Sequence, residues 1–367
     1  MAQRQRMTIR DVAAEAGVSI QTVSRVLNSR PDVAPETLRR VQEVIQKTGY
    51  APNMLARSLT QGRSHVLGVV AYGLEYFGPS RVVTAIERQA AEMGYGVSLN
   101  LILEPETGDV DRLLNTLRAR QVDGIIWAIP EVGDNRAWSR TKGSELPVPV
   151  MLVGGMADLP ALPSIGIDNE AIGRLATEHL LAGGSNKIAI VTGPLSWWEA
   201  QQRLLGWRKT LATNGLDVSD RLVFEGDWTV TAGEHGLQRL LDRCPEIDAI
   251  FASNDQMALG ILYAAHRLGR SVPDQLSVVG VDNIAEASHF WPPLTTVYQP
   301  LGDAGALAVK QIDLLIGKST QPRRTQDLPS EMTLLMPELI VRESARCLES
   351  VVRPAIEPAQ RTAAAGS

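Results

Sequence analysis

The sequence predicts an N-terminal all-α helix-turn-helix head followed by a two-lobed α/β body with parallel sheets, and three observations carry that prediction. The first is length: 367 residues make two to three domain lengths. The second is charge. Residues 1–63 carry ten Arg and Lys against five Asp and Glu, a net +5, whereas the remaining 304 residues hold 26 basic and 36 acidic side chains, a net −10. A basic head on an acidic body marks the head as the polyanion-binding candidate. The third is periodicity. Apolar residues recur at helical spacing before residue 50, and from about residue 65 short apolar runs alternate with helical stretches.

Composition narrows the class. Hydrophobic residues make up 44% of the chain and charged residues 21%, enough apolar surface for a large core, and no 18-residue apolar run exists to span a bilayer. Cys244 and Cys347 stand too far apart for a disulfide framework or a paired-thiolate metal site, so no metal and no cofactor is expected. The basic start, Met1 to Arg6, leads into a polar helical pattern where a signal peptide needs an apolar block. A cytoplasmic protein is expected.

Three short helices account for the head, residues 1–52. Thr8 with Asp11 three residues later is a capping-box pattern, and Ile9, Val12, Ala13 and Ala16 fall on one face, giving a helix over 9–16. Gly17 supplies a left-handed stop, Val18 plugs inward and Ser19 caps a second helix. In that helix Val23, Val26 and Leu27 face the core. Ile20, Gln21, Ser24, Arg25 and Asn28 are left exposed, with Thr22 beside them. Gln pairs with adenine and Arg with guanine in a major groove, while hydroxyls and amides at the helix start take phosphates. A third helix begins with Pro35 at its first position, packs Leu38, Val41, Val44 and Ile45, and stops at Gly49. Two amphipathic helices around a glycine also occur in plain bundles, which is the alternative reading.

Residues 53–63 connect head and body. Asn53 caps a helix of about seven residues, below the length at which an isolated helix holds in water, so it is expected to order only on binding. Two such helices in a dimer pair through Ala56 and Leu59 and wedge Leu59 into a minor groove. A flexible linker is the alternative.

The body, residues 64–343, reads as two series of strands. His65–Ala71, Val97–Leu103, Asp123–Ile129 and Val148–Val153 form the first, with a helix over Ser80–Met93. Lys187–Thr192, Arg221–Glu225, Asp248–Ala252 and Leu276–Val281 form the second. Ligands of open parallel sheets bind beyond the carboxyl ends of the strands, so the cleft between lobes is the default site. Those ends offer Trp127, Asp168, the loop 193–198 with Trp197, Arg203, Trp228, Asn254, Asp255 and Asp282 with Asn283. Carboxylate, amide and guanidinium groups satisfy hydroxyls in fixed directions and indoles pack on the apolar face of a pyranose, so this is a sugar-binding set. Duller readings exist: Trp207 as core, Trp138 as a surface or linker packing residue, Arg203 as the ion-pair partner of Asp282.

Thr8-Ile9-Arg10-Asp11-Val12-Ala13, Gly17-Val18-Ser19, the run 22–28 and Tyr50-Ala51-Pro52-Asn53 resemble the head of the lactose-repressor (LacI/GalR) family of bacterial transcription regulators. The likeness continues through 191–207, 225–228, 253–260, 278–282 and 292–297, and spans about 8–342. It implies a periplasmic-binding-protein-like body, base reading by Ile20, Gln21 and Arg25, and Leu59 as the minor-groove lever. Arg203, Asn254 and Asp282 would bind the effector, Trp228 would stack on it, and a rim from Tyr76 to Val82 would line its apolar side. Where lactose-responsive members carry Ser, Asn and Asp, this chain has Tyr72, Ala128 and Gly154, which points to a larger, Trp-stacked glycoside or oligosaccharide. By the same resemblance Leu259 and Phe290 lie on the face of a homodimer, which sets two heads on half-sites of a pseudo-palindromic double-stranded operator.

The expected function is a sequence-specific repressor of carbohydrate-utilisation genes, released by a sugar or glycoside. The alternatives are a non-sugar corepressor acting on the same fold, or a two-lobed carbohydrate-binding protein or enzyme. No enzyme motif survives inspection. Gly317-Lys318-Ser319 resembles the end of a phosphate loop, but Ile312 stands where the leading glycine belongs, and there is no G-x-S-x-G elbow or H-E-x-x-H pair. Residues 344–367 lack a sustained heptad and read as a disordered tail.

Overall fold

The computed structural model describes residues 7–27, 32–50, 63–104, 110–132, 135, 138, 146–155, 162–317 and 332–347. Asn28, Asn53, Ala56, Leu59, the expected connecting helix, Lys318-Ser319 and residues 348–367 lie outside them. The chain divides into two compact units, Met1–His65 and Val66–Ser367.

Local chemistry fixes the head. Helix α1 (Ile9–Ala16) starts where the Thr8 N–H donates to Asp11 Oδ2 at 2.8 Å and the Asp11 N–H returns to Thr8 Oγ1 at 3.4 Å. It ends at Gly17, whose φ of 63° lets its N–H turn back onto the carbonyls of Ala13 and Ala14. Ser19 Oγ accepts from the Thr22 N–H at 3.1 Å and opens α2 (Ile20–Leu27). Helix α3 (Pro35–Thr48) begins on proline and stops at Gly49, again left-handed at φ 63°. Val12, Ala13, Ala16, Val23, Val26, Val41 and Val44 form the buried core, with Val18, Leu27, Leu38, Ile45 and Tyr50 packed around it.

In the body the first lobe holds β1 (Val66–Ala71), α4 (Phe77–Glu92), β2 (Gly96–Leu101), α5 (Val110–Ala119), β3 (Gly124–Ala128), β4 (Val150–Val153) and β5 (Ser164–Ile167). The second holds α6 (Asn169–Ala182), β6 (Ile188–Thr192), α7 (Trp198–Thr213), β7 (Val223–Glu225), α8 (Val230–Arg243), β8 (Ala249–Ala252), α9 (Asp255–Arg267), β9 (Ser277–Asp282) and β10 (Thr295–Tyr298). The chain then returns as α10 (Leu301–Gly317) and β11 (Met332–Leu335) to the first lobe, and ends with β12 (Glu338–Ile340) in the second. Sheet orders are β11-β5-β4-β3-β1-β2 and β12-β10-β9-β8-β6-β7. The first sheet is parallel throughout its described pairings, as expected from the nearly continuous apolar, buried runs of its central strands β1, β3, β4 and β5. In the second, only the β10–β12 pairing is antiparallel among those described.

Each lobe thus takes segments from distant parts of the chain, and three crossings join them, after β5, after β10 and after β11. Helix α10 seats against α4 at Gly305, where a Cβ would lie 2.5 Å from the carbonyl oxygen of Val82. One sequence boundary moves. Ser344 is fully buried, its Oγ donating to the Val278 carbonyl at 2.6 Å and accepting from the Thr295 N–H at 2.8 Å. Ala345 is buried beside it. The body therefore extends past 343, because Ser344 and Ala345 are buried at the end of the second sheet and the Arg346 N–H donates to Ser277 Oγ at 3.3 Å.

Candidate functional site

Two surfaces carry the expected chemistry, one in each unit. On the head, α2 leaves Ile20, Gln21 and Arg25 exposed and Thr22 and Ser24 half-buried, while Val23 and Val26 hold the helix to its core. Ile20 is 44% exposed, an apolar side chain left in water on the same helix as Gln21 and Arg25. Arg25 meets Asp32 at 3.6 Å. The hydroxyls of Thr8 and Ser19 serve their own helix caps, Thr8 Oγ1 donating to Asp11 Oδ2 at 2.7 Å, and Ser19 Oγ lies 2.9 Å from Thr22 Oγ1.

Within the body, a cavity of about 440 Å³ opens between the lobes. Tyr76, Trp197, Arg203, Trp228, Asn254 and Asp282 of the sequence-based set line it. Five members do not: Trp127, Asp168, Tyr72, Asp255 and Asn283. Trp127 sits in β3 with its indole turned to the opposite face, 2% exposed and packed on Trp138 with ring centroids 4.5 Å apart. Side chains alternate across a strand, so Ala128, the next residue, is the one that reaches the cavity. Asp168 caps α6, accepting from the Ala171 N–H at 2.8 Å, and its neighbour Asn169 takes the position on the wall. Tyr72 lies behind Trp197, ring centroids 6.0 Å apart. Of the duller readings, Trp207 is fully buried core, as expected, whereas Trp138, expected at the surface or in a linker, is instead buried in the core of the first lobe against Trp127.

The polar wall belongs to the second lobe. Arg203, 5% exposed, projects from α7 and donates through Nε to Asn169 Oδ1 at 2.8 Å, through Nη1 to the Ser253 carbonyl and through Nη2 to Gln299 Oε1 at 3.0 Å. Gln299 Nε2 in turn donates to Asp282 Oδ1 at 2.6 Å. Arg203 and Asp282 are therefore linked through Gln299. Burial pulls the guanidinium below its ordinary pKa, against the charges of Asp282 and Glu199. Burial likewise pushes Asp282 up to about 6, although Arg203 and the Gln299 bond draw it down.

Backbone strain concentrates here. Trp228, Asp282 and Asn283 hold φ of 73°, 115° and 54°, left-handed values for residues that carry side chains. Asn283 is clamped by Arg342, whose Nη2 donates to its Oδ1 at 2.6 Å. Trp228 lies against Gly193, and the Arg203 guanidinium sits 5.6 Å from the centre of its ring. Asn254 spends its amide internally, donating to the Trp228 carbonyl at 2.9 Å and accepting from the Met257 N–H at 2.8 Å. It holds Trp228 in place as much as it faces the cavity.

Sequence reasoning passed over Asn169, Glu199, Gln256 and Gln299, all on the wall. The sequence offered no usable signal for Gln299, which directly follows β10, a strand too short to stand out. Among the remaining expected residues, Leu259 is 37% exposed on α9, sharing a face with the exposed Tyr263, and Phe290 is half-buried against the second lobe. No helix among the described residues is long and apolar enough to cross a membrane.

Comparison with known proteins agrees with this geometry. Residues 8–53 match the family of bacterial regulatory proteins, lacI family, and residues 69–329 match the periplasmic binding proteins and sugar binding domain of LacI family. Catabolite control protein A of Priestia megaterium is 34% identical over 327 residues, covering 88% of this chain and 96% of that protein. The Lac repressor dimer bound to operator and the anti-inducer ONPF superposes with a TM-score of 0.79 at 31% identity, over 94% of this chain and 100% of the other. A complex of the transcriptional regulator CelR with cellobiose gives 0.66 at 30%, over 93% and 100%. With a helix-turn-helix head, a two-lobed α/β body after it in the sequence and both family matches in that order, the chain belongs to the lacI family of DNA-binding bacterial transcription regulators.

Proposed function

We propose that this regulator represses carbohydrate-utilisation genes from the cytoplasm and leaves its operator when a sugar or glycoside closes on the interlobe cavity, with no catalysis of its own. The carrying observation is the buried chain Asn169–Arg203–Gln299–Asp282 beside Trp228. Directed donors and acceptors next to an indole face suit hydroxyls on a flat apolar ring. The similarity to the ribose operon repressor and the lactose operon repressor of Escherichia coli supports a carbohydrate effector.

On the head, Ile20, Gln21 and Arg25 read bases, Thr22, Ser24 and Asn28 support them, and Thr8, Ser19 and Asn53 present helix N-termini to phosphates. Ala56 pairs the connecting helices and Leu59 wedges the minor groove. A dimer through Leu259 and Phe290 places two heads about 10 base pairs apart. Effector binding shifts a population: taking operator occupancy from 99:1 to 1:99 requires a preference of about 5.5 kcal/mol for the low-affinity state.

The test is DNA binding by fluorescence anisotropy on the gene's own upstream region, with and without sugars. Arg25→Ala loses roughly 1–3 kcal/mol of discrimination at one base pair. Arg203→Ala keeps operator affinity and loses the sugar response. Release of the Arg203→Ala protein by sugar would refute the pocket assignment.

A further inference from the structure

Asp282 reaches the cavity from a turn that its own backbone disfavours. It closes β9 at φ 115°, and Asn283 follows at 54°. L residues enter that region against a steric cost, so two in succession persist only where neighbours hold them. Two holds act on the backbone of the turn. The Asn283 N–H donates to Thr296 Oγ1 at 3.3 Å, and the Ile284 N–H donates to Asp255 Oδ2 at 2.9 Å. A third hold grips the Asn283 side chain and comes from the end of the body. Arg342, half-buried two residues past β12, donates through Nη2 to Asn283 Oδ1 at 2.6 Å and through Nη1 to the Leu294 carbonyl at 2.7 Å. Its own N–H is fixed on Thr295 Oγ1 at 2.9 Å. Asn283 begins the connection between β9 and β10 and Leu294 ends it, so one planar guanidinium ties both ends of residues 283–294 together. Neither Arg342 nor Asn283 lines the cavity.

We propose that Arg342 is a positioning residue for the effector: without touching it, the guanidinium holds Asn283 left-handed and so keeps the preceding Asp282 carboxylate aimed at Gln299 and the cavity. This rests on the reading of the cavity as the effector site. A hydrogen bond from a charged donor biases a local equilibrium by more than about tenfold. Without it the turn relaxes toward ordinary backbone conformations, and relaxation of either residue carries the Asp282 carboxylate off Gln299 Nε2, its donor at 2.6 Å. Arginine suits the task because its rigid fork serves two acceptors at once, which the single ammonium of a lysine does not do in the same geometry.

The experiment uses the full chain and three measurements: amide hydrogen exchange in peptides covering 280–286, calorimetric titration with ribose, glucose, galactose, phenyl β-glucoside and cellobiose, and operator affinity by anisotropy. Arg342→Met raises exchange at the Asn283 and Ile284 amides about tenfold and weakens whichever of these sugars the native chain binds by at least tenfold. Operator affinity is unchanged. The deciding variant removes the need for the clamp. Glycine occupies the left-handed region without steric cost, so Asn283→Gly added to Arg342→Met brings sugar affinity back to within about threefold of native, whereas Asn283→Ala added to it does not. A guanidinium that only supported the fold would not separate glycine from alanine. Native sugar affinity in Arg342→Met, or no recovery with glycine, overturns the inference. If none of the sugars binds the native chain, the carbohydrate reading fails and exchange decides the clamp: a rise at 283–284 in Arg342→Met upholds it and no change overturns it. Should Arg342→Met not fold, Asn283→Ala and Asn283→Gly alone carry the same comparison, since both cut the Arg342 bond. Weaker binding or faster Ile284 exchange in the alanine variant upholds the clamp, and equal behaviour of the two overturns it.

Discussion

The backbone N–H of Trp198 donates to the carbonyl of Glu131 at 3.0 Å, a hydrogen bond that runs from the second lobe to the first. An isolated antiparallel bridge between Val132 and Trp197 lies beside it. Trp197 carries the contact further, with ring centroids 6.0 Å from Tyr72, 5.8 Å from Tyr76 and 5.7 Å from Trp228. The cleft is therefore latched by protein alone along one edge. Because Trp198 is the first residue of α7, its N–H has no intrahelical acceptor and is available for this bond.

That position allows a clean deletion of the latch. Proline is well tolerated at the first helical position, and Trp197, at φ −88° and ψ 129°, already has the extended backbone required before a proline. Trp198→Pro removes the donor and the indole, whereas Trp198→Ala removes the indole only. One net hydrogen bond of about 0.5–1.5 kcal/mol predicts lobe opening up to about tenfold more frequent in Trp198→Pro. Amide hydrogen exchange in peptides covering 129–132 and 194–197 reads it out. Equal exchange in the two variants would show that the bond does not hold the lobes.

A second prediction concerns pH. Asp255 is fully buried, with Oδ1 accepting from Thr296 Oγ1 at 2.6 Å and Oδ2 from the Ile284 N–H at 2.9 Å. Burial, reinforced by the charge of Asp282, pushes it up to about 8 despite those bonds. Unfolded carboxylates release their protons near pH 4, so between about pH 4 and pH 8 the folded chain binds the proton that the unfolded chain has lost. Stability is fullest at the acidic side of that window and falls as pH rises through it. The slope from this group is at most about 1.4 kcal/mol per pH unit, and Asp282, pushed up to about 6, adds to it in the lower half. Asp255→Asn keeps both contacts, its amide accepting from Ile284 and donating to Thr296. Urea midpoints at pH 5 and pH 8 then differ less for Asp255→Asn than for the native chain; identical drops in both would remove Asp255 as the cause.

How much of this is legible in the sequence follows from range. The head is readable almost residue by residue, because Thr8, Asp11, Gly17, Ser19, Pro35 and Gly49 act on neighbours within four positions. In the body, long apolar runs such as Val66–Ala71 and Ser277–Asp282 identify themselves. Strands β5, β10, β11 and β12 do not, being three or four residues each and paired to partners up to 168 positions away, as Met332 is to Ser164. Hence Gln299 is hidden at the end of a strand that the sequence does not announce. Trp127 is misplaced for a different reason: a strand end places a residue near the cleft, and only the alternation of faces says whether Trp127 or Ala128 enters it.

The last prediction tests what positions Trp228. Gly193 follows β6 directly, and a Cβ there would lie 2.0, 2.2 and 2.3 Å from three carbons of the indole's six-membered ring. No positive φ is involved, so alanine is acceptable to the backbone and excluded only by the ring. Gly193→Ala must push the indole into the cavity and away from Arg203, reducing effector affinity at least tenfold while operator affinity, which belongs to the head, holds. It also destabilises the body by about 1–3 kcal/mol, the usual cost of overpacking. A phenyl ring does not reach as far as those indole carbons, so Trp228→Phe relieves the clash. In a double-mutant cycle on thermal stability, Gly193→Ala then costs markedly less when combined with Trp228→Phe than it does alone, a coupling of about 1 kcal/mol or more. Strict additivity would mean that the glycine answers to something other than the tryptophan.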